Sequence, residues 1–86
     1  MITIELFGVP RLRAGTDAVR VEARSLGEAL TALEEACPAL ASGLLREGKL
    51  SPHYLVALNG RQFTADPGTQ LSPGDVLVLL SADAGG

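Results

Sequence analysis

The side chains that most often perform catalysis are few in this sequence, and they stand far apart in it. It contains one cysteine, one histidine and one lysine, at Cys37, His53 and Lys49. We expect Cys37 to be a small buried apolar residue and His53, in a loop after a proline, to lie at the surface. The aspartates are too isolated to form a carboxylate pair, and Asp75 is typical of a turn. Because no nucleophile, base and orienting group can be combined, we expect that the chain is not an enzyme on its own and binds no metal or cofactor itself.

The sequence ends in LLSADAGG, and its last two residues, Gly85 and Gly86, need a separate explanation. Glycine loses the most backbone freedom when it is ordered, so a terminal pair does not serve as scaffolding. A carboxylate carried on residues without Cβ atoms can pass through a narrow channel into the active site of another protein. It is a poor acyl donor until one oxygen becomes a good leaving group, so this chemistry requires an activating partner. From the ending alone, a frayed end without a role is the favoured interpretation.

Composition limits the classes of protein to which the chain can belong. Its 86 residues include one tyrosine, two phenylalanines and no tryptophan, so one small domain with an aliphatic core is expected. The formal net charge is −3 and the seven basic residues are scattered. Nucleic acid is therefore disfavoured as a partner, because neutralising phosphates takes clustered Lys and Arg. We see no signal peptide and no apolar run near the ~20 residues that span a bilayer, so a cytoplasmic protein is expected.

Alternating apolar and polar residues predict two strands in the first part of the chain. Residues 2–7 (ITIELF) and 18–24 (AVRVEAR) both alternate with a period of two. Residues 8–17 between them contain glycine, proline and aspartate, which interrupt regular structure, so we expect a loop there. The two strands are then joined as an antiparallel hairpin.

The strongest local pattern is SLGEALTALEEACP, which predicts a helix over Leu26–Cys37. Its apolar residues fall on one helical stripe, and Ser25 and Glu28 have the spacing of a capping box. A second, short helical segment is expected around Leu40 to Leu45, followed by a loop from Gly48.

Three further strands are predicted in the second half of the chain. YLVALNGRQF (54–63) reads as a strand, an Asn59-Gly60 turn and a short return strand. Residues 64–75 contain two Pro-Gly pairs and form a long connection. VLVLL (76–80) is apolar on both faces, as is typical of a central strand. We expect the first and last strands to be parallel neighbours with the helix packed on one face, which is an α+β arrangement with a mixed sheet of about four to five strands.

The same alternation predicts which apolar side chains face away from the helix. If Leu77 and Leu79 in one strand and Val56 and Leu58 in the other face the helix, the residues that alternate with them face outward and form a contiguous apolar patch. This patch comprises Leu55, Ala57, Val76, Val78 and Leu80. Exposed patches of this kind usually mark partner sites. The alternatives are that residues 64–73 cover it or that the chain self-associates through it.

Strand order, helix position and ending together resemble the β-grasp (ubiquitin-like) fold and, within it, the ThiS/MoaD family of sulfur carrier proteins. The resemblance rests on LFGVPRLRAG (6–15), EGKL (47–50), LNG (58–60), LSPGDVLVL (71–79) and the final Gly-Gly. Length and EGKL are closest to MoaD, the small subunit of molybdopterin synthase. The segment ADAGG departs from the more apolar MoaD tail, most clearly at Asp83.

The resemblance implies a β-grasp domain over residues 1–81 and a flexible tail over 82–86. It implies that an adenylyltransferase of the MoeB/ThiF type uses MgATP to adenylate the Gly86 carboxylate. Sulfur from a persulfide donor then displaces AMP and leaves a thiocarboxylate, while Gly85 provides clearance. The patch and the spacer residues Ala82, Asp83 and Ala84 would contact the partner. The sulfur-accepting enzyme would be one such as the molybdopterin synthase large subunit or thiazole synthase.

Other functions fit the same resemblance. The sulfur could be destined for thiamine thiazole, for cysteine or for tRNA thiolation. A β-grasp binding module or protein modifier that never carries sulfur is also consistent with the sequence, and a part for Lys49 in conjugation stays open.

Overall fold

The structure is a computed structural model that describes residues 1–40, 44–46 and 49–82. None of the helices in these ranges is long and apolar enough to cross a bilayer. In chain order the elements are β1 (Ile2–Leu6), α1 (Val9–Ala14), β2 (Ala18–Val21), α2 (Leu26–Ala36), a 3₁₀ turn (Pro38–Leu40), β3 (Leu45–Arg46), β4 (Lys49–Leu50), β5 (Tyr54–Leu58), β6 (Gln62–Phe63) and β7 (Val76–Ser81).

Five of these strands form one mixed sheet in the order β2-β1-β7-β5-β6. Strands β1 and β7 are parallel, and the other neighbours are antiparallel. The last strand therefore lies in the middle of the sheet, as its apolar residues on both faces predicted. The hairpin of the first two strands and the parallel first and last strands are also confirmed.

The core lies between one face of this sheet and helix α2. In β1 every second residue is buried, and β7 repeats the alternation so that Leu77 and Leu79 face inward. The helix contributes a stripe of buried residues at Leu26, Ala29, Leu30 and Leu33. The buried residues recur with a period of two in the strands and of 3.6 in the helix, and together they form one aliphatic core. The sequence predicted such a core.

Helix α2 begins at the residue that the sequence predicted. The Ser25 hydroxyl accepts a hydrogen bond from the Glu28 N–H at 3.2 Å, and Glu28 Oε1 accepts from the Arg24 N–H at 2.9 Å. In the usual capping box the carboxylate accepts from the N–H of the N-cap residue, which is Ser25 here, so the observed partner lies one residue earlier in the chain. The helix ends at Ala36, one residue earlier than predicted, and Cys37 is its half-buried C-cap, packed against the core.

The long connection after β6 runs beside the start of α2. Carbonyl groups of Pro67 and Thr69 accept hydrogen bonds from the N–H groups of Gly27 and Leu26, both at 2.9 Å. These two N–H groups belong to the first helical turn, which has no partners for them within the helix. The connection is therefore held on the helix side of the sheet, and the alternative in which it covers the opposite face is wrong.

The loop predicted for residues 8–17 is wrong, because Val9–Ala14 form helix α1. The residues that indicated a loop instead mark the ends of a short helix. Pro10 lies in the first turn, where a missing N–H breaks no helical bond. Gly15 follows the last turn with a φ of 72°, the left-handed conformation common after a helix.

The helical segment predicted around Leu40 to Leu45 is also wrong at its end. Leu45 belongs to β3, which pairs antiparallel with β4, so Lys49 and Leu50 form a strand and not a loop. Leu44 and Leu50 are both buried in the core. Burial of a leucine at each arm of this small hairpin outweighs the helical preference of the local sequence. Residues 41–43 and 47–48 lie outside the described residues.

Candidate functional site

One face of the sheet, opposite α2, carries the apolar patch that the sequence predicted. Side chains of Val76, Val78 and Leu80 on β7 are half-buried, as is Ala57 on β5, while Leu55 is 38% exposed. The strand register places Leu55 opposite Leu80 and Ala57 opposite Val78. We call these five residues the outer apolar face. Cross-strand pairing makes it one continuous surface.

Two aromatic residues extend the outer apolar face, and sequence reasoning did not assign either of them to a site. Phe63 is 67% exposed and pairs with Ala57 across the β5–β6 hairpin. Phe7 is 47% exposed, and its N–H donates to the Leu79 carbonyl at 3.0 Å, which holds it beside β7. The alternation of residues 2–7 already placed Phe7 on the outward side, so a signal for it existed.

The position of Phe63 depends on the length of the turn. Asn59 and Gly60 have positive φ angles of 53° and 68°, as expected for an Asn-Gly hairpin turn. The strands pair Leu58 with Gln62, however, so three residues separate them. With a two-residue connection Gln62 would lie opposite Ala57, and the polar side chain would face outward. A register change of one residue reverses the face of every side chain, and it is this change that exposes the aromatic ring.

On its other side the outer apolar face ends at polar residues of β1. Thr3 pairs with Val76 and Glu5 with Val78, and both β1 side chains are half-buried. An apolar centre with a polar border is the usual composition of a protein docking surface.

The end of β7 leads directly from this surface toward the predicted tail. Ser81 pairs with Tyr54, and the next N–H, that of Ala82, donates to the His53 carbonyl at 2.8 Å. Ala82 is exposed. The remaining predicted site residues, Asp83, Ala84, Gly85 and Gly86, lie outside the described residues.

The opposite end of β7 is fixed by Asp75, which acts as a turn residue as the sequence indicated. Its carboxylate accepts hydrogen bonds from the Ser72 N–H at 2.8 Å and from Asn59 Nδ2 at 3.1 Å. The bond from Ser72 and then that from Asn59 lower the pKa of Asp75 from its ordinary value. This contact joins the β5–β6 turn to the start of β7, so it fixes the two strands that carry the outer apolar face.

The other chemically reactive side chains do not converge on this surface. Lys49 and His53 are exposed, the latter as predicted, and Cys37 is half-buried on the helix side. Within the described ranges no three potential metal ligands come together. What the described residues offer is an exposed apolar surface on β5 and β7.

Comparison with known proteins places this chain among small ubiquitin-like proteins. The sequence profile of the ThiS family matches residues 4–86. No curated protein is significantly similar in sequence. The crystal structure of SAMP1 from Haloferax volcanii is 34% identical, with a TM-score of 0.86 over 99% of this chain and 98% of that one.

Two solved complexes contain chains with the same fold. A chain of the BexX/CysO complex from Amycolatopsis orientalis is 22% identical, with a TM-score of 0.85 and full coverage of both chains at 100%. A chain in the complex of subunits 1 and 2 of the molybdopterin-converting factor from Helicobacter pylori is 25% identical, with a TM-score of 0.67 over 99% of this chain and 97% of that one. With its β-grasp, ubiquitin-like architecture and a profile match over nearly its whole length, the chain belongs to the ThiS family.

Proposed function

We propose that this protein is a sulfur carrier whose C-terminal Gly86 is adenylated, converted to a thiocarboxylate and used as a sulfur donor in cofactor biosynthesis. Proteins of the ThiS/MoaD type are small carriers, ubiquitin-like modifiers or subunits of partner enzymes. The observation that carries the proposal is the family match, which extends through Gly85 and Gly86 to residue 86. The outer apolar face supports it, because it lies on the strand that leads to those glycines.

The chemistry proceeds in balanced steps on the carboxylate of Gly86. A carboxylate oxygen attacks the α-phosphorus of ATP on the activating enzyme, and pyrophosphate leaves. The terminal sulfur of a persulfide then attacks the acyl carbon, AMP leaves, and an acyl disulfide forms. A thiol reduces this disulfide and releases the thiocarboxylate. The chain contributes the acyl carbon and the docking surface, while MgATP and the catalytic groups belong to the adenylyltransferase of the MoeB/ThiF type.

The acceptor that we propose is the large subunit of molybdopterin synthase. The fold shared with a chain of the Helicobacter pylori complex supports this choice, because that complex joins subunits 1 and 2 of the molybdopterin-converting factor. The segment EGKL favours the same branch. Thiazole, cysteine and tRNA thiolation use the same thiocarboxylate chemistry and remain alternative destinations for the sulfur.

Protein modification is a second candidate function, favoured by one specific observation. SAMP1, the small archaeal modifier protein 1 from Haloferax volcanii, has 34% identity to this chain with nearly complete mutual coverage. In that case the activated Gly86 carbonyl would form an amide bond with a lysine of a target protein.

Intact mass spectrometry tests both functions. The purified chain is incubated with MgATP, an adenylyltransferase of the MoeB/ThiF type and a persulfide donor. We expect a mass increase equal to replacement of one oxygen by sulfur, located at Gly86 by fragmentation. A variant without Gly86 is the matched control and should gain no sulfur. Failure to load with several adenylyltransferases that load their own carriers would contradict the proposal. Lysines of other proteins that carry residues 62–86, the peptide that trypsin releases after Arg61, would favour the modifier.

A further inference from the structure

We propose that the turn formed by Ser51, Pro52, His53 and Tyr54 is a fixed mount for the C-terminal tail, with Ser51 as a positioning residue. The inference rests on the proposed function, since it concerns how Gly86 is delivered to a partner. Its starting point is a hydrogen bond beyond the end of the sheet: the Ala82 N–H donates to the His53 carbonyl at 2.8 Å. This bond extends the pairing of β5 and β7 one residue past the Tyr54–Ser81 pair.

The turn that supplies the His53 carbonyl is held from three directions. The Tyr54 N–H donates to the Ser51 carbonyl at 3.1 Å, which closes the turn. The His53 N–H donates to the Ser51 hydroxyl at 3.3 Å. The Ser51 N–H donates to the Leu44 carbonyl at 2.8 Å, which ties the turn to the β3–β4 hairpin. Pro52 occupies the second turn position, where its fixed φ is favourable.

Ser51 is a polar residue at a position where an apolar one would be expected. It is 1% exposed, and of the two buried polar residues in the described ranges it is the more deeply buried. Burying a hydroxyl costs free energy unless it is hydrogen-bonded. The N–H, the carbonyl and the hydroxyl of Ser51 each form one of the hydrogen bonds described above. The serine therefore fixes the conformation of the turn in a way that alanine, although it would fit, cannot.

A fixed Ala82 matters because few residues remain to reach the partner's active site. Gly86 lies four residues beyond Ala82, so even a fully extended tail reaches at most about 14 Å past it. If Ala82 were released from its hydrogen bond to His53, the distance that Gly86 can span would change by about 3.5 Å. Reacting atoms must approach to about 3–3.5 Å in a defined orientation, so a loose root lowers the fraction of productive encounters.

The mount is tested by perturbing the hydrogen bond between Ala82 and His53 from both sides. Ala82→Pro removes the donor at an exposed residue, and Ser51→Ala removes the hydroxyl that orients the acceptor. We expect each to lower kcat for thiocarboxylation by about fivefold, the population change that one hydrogen bond supports. KM for the chain should stay within about twofold, since the outer apolar face is unchanged. Ser72→Ala, at an exposed serine near the opposite end of β7, is the matched control and should keep the wild-type kcat.

The double variant separates positioning from general damage. If both changes act through one bond, the double variant should be no slower than the slower single variant. Multiplying effects, a wild-type kcat in Ala82→Pro, or a rise in KM with kcat unchanged would each overturn the inference. Because Ala82→Pro alters an exposed position, it remains informative even if Ser51→Ala folds poorly.

Amide hydrogen exchange keeps this inference distinct from the proposed function. If no adenylyltransferase loads the wild-type chain, the sulfur-carrier function fails, and the mount is then judged by the Ala82 amide alone. That amide should be protected in the wild type and exchange about fivefold faster in Ser51→Ala. Equal exchange in the two proteins would overturn the mount.

Discussion

Side-chain hydrogen bonds join Asn59, in the β5–β6 turn, to Asp75, in the turn before β7, and to Val76 at the start of β7. These bonds require an amide that both donates and accepts and a carboxylate that accepts. The Asn59 N–H donates to the Val76 carbonyl at 2.7 Å, and its Oδ1 accepts from the Val76 N–H at 2.8 Å. Its Nδ2 donates to Asp75. Asn59 also adopts a φ of 53°, which asparagine tolerates better than most residues with a Cβ atom. Aspartate at this position would lack the donor, and glycine would lack the side chain.

The lowered pKa of Asp75 predicts a pH dependence of stability. A carboxyl group with a folded-state pKa below its unfolded value stabilises the fold above the unfolded pKa. That contribution is lost as the pH falls through the folded-state pKa. Between about pH 5 and pH 2 the unfolding midpoint in urea should therefore fall more steeply for the wild type than for Asp75→Asn. Asn59→Ala removes only one of the two donors and should give an intermediate slope. An unchanged slope in Asp75→Asn would show that these bonds do not favour the charged carboxylate.

At the scale of elements, long periodic segments could be predicted from the sequence and short ones could not. Strand β1 alternates over five residues, β5 and β7 are largely apolar segments of five and six residues next to turn signals, and α2 has three turns of apolar stripe, so local pattern was enough to predict them. Helix α1 has six residues, too few for its period to be recognised. Pro10 and the two flanking glycines, Gly8 and Gly15, are equally typical of a loop. Strands β3 and β4 have two residues each, and burial of the leucines around them, not local preference, decides their structure.

Substitutions at Gly15 test whether α1 ends there because glycine adopts the left-handed conformation. It has a φ of 72°, and a Cβ atom there would meet nothing within 4 Å. Gly15→Ala should therefore destabilise the fold only through backbone strain, by about 1 kcal/mol in urea unfolding. Gly15→Asn is the matched variant and should lose less, because asparagine adopts the left-handed conformation more readily. Equal losses in the two variants would point to a cause other than this dihedral angle.

At the scale of the whole molecule, the outer apolar face was predictable in outline, because side chains alternate between the two faces of any strand. Leu55 and Val78 were placed on the same side on the condition that Val56 and Leu79 face the helix, and both of those residues are buried. Phe63 could not be placed in this way, since its face depends on a turn with one residue more than the Asn-Gly pair suggested. The mount of Ala82 could not be predicted either. It depends on a backbone contact between segments 29 residues apart in sequence, at His53 and Ala82.

The outer apolar face leads to a prediction about recognition of the entire chain. Leu55→Asp places a charge on this surface, opposite Leu80, at a side chain that is 38% exposed, so folding should be little affected. Binding of an adenylyltransferase would have to desolvate that charge without a partner, so KM for the chain should rise at least about tenfold in the loading assay.

Leu12→Asp is the matched control for that variant, because Leu12 is also an exposed leucine, at 82%, but belongs to helix α1 and not to the outer apolar face. The same change of charge there should leave KM within about twofold of wild type. Unfolding midpoints of both variants establish that the comparison is between folded proteins. If Leu12→Asp raised KM as much as Leu55→Asp, recognition would depend on net charge, which is already −3 in the wild type, and not on the outer apolar face.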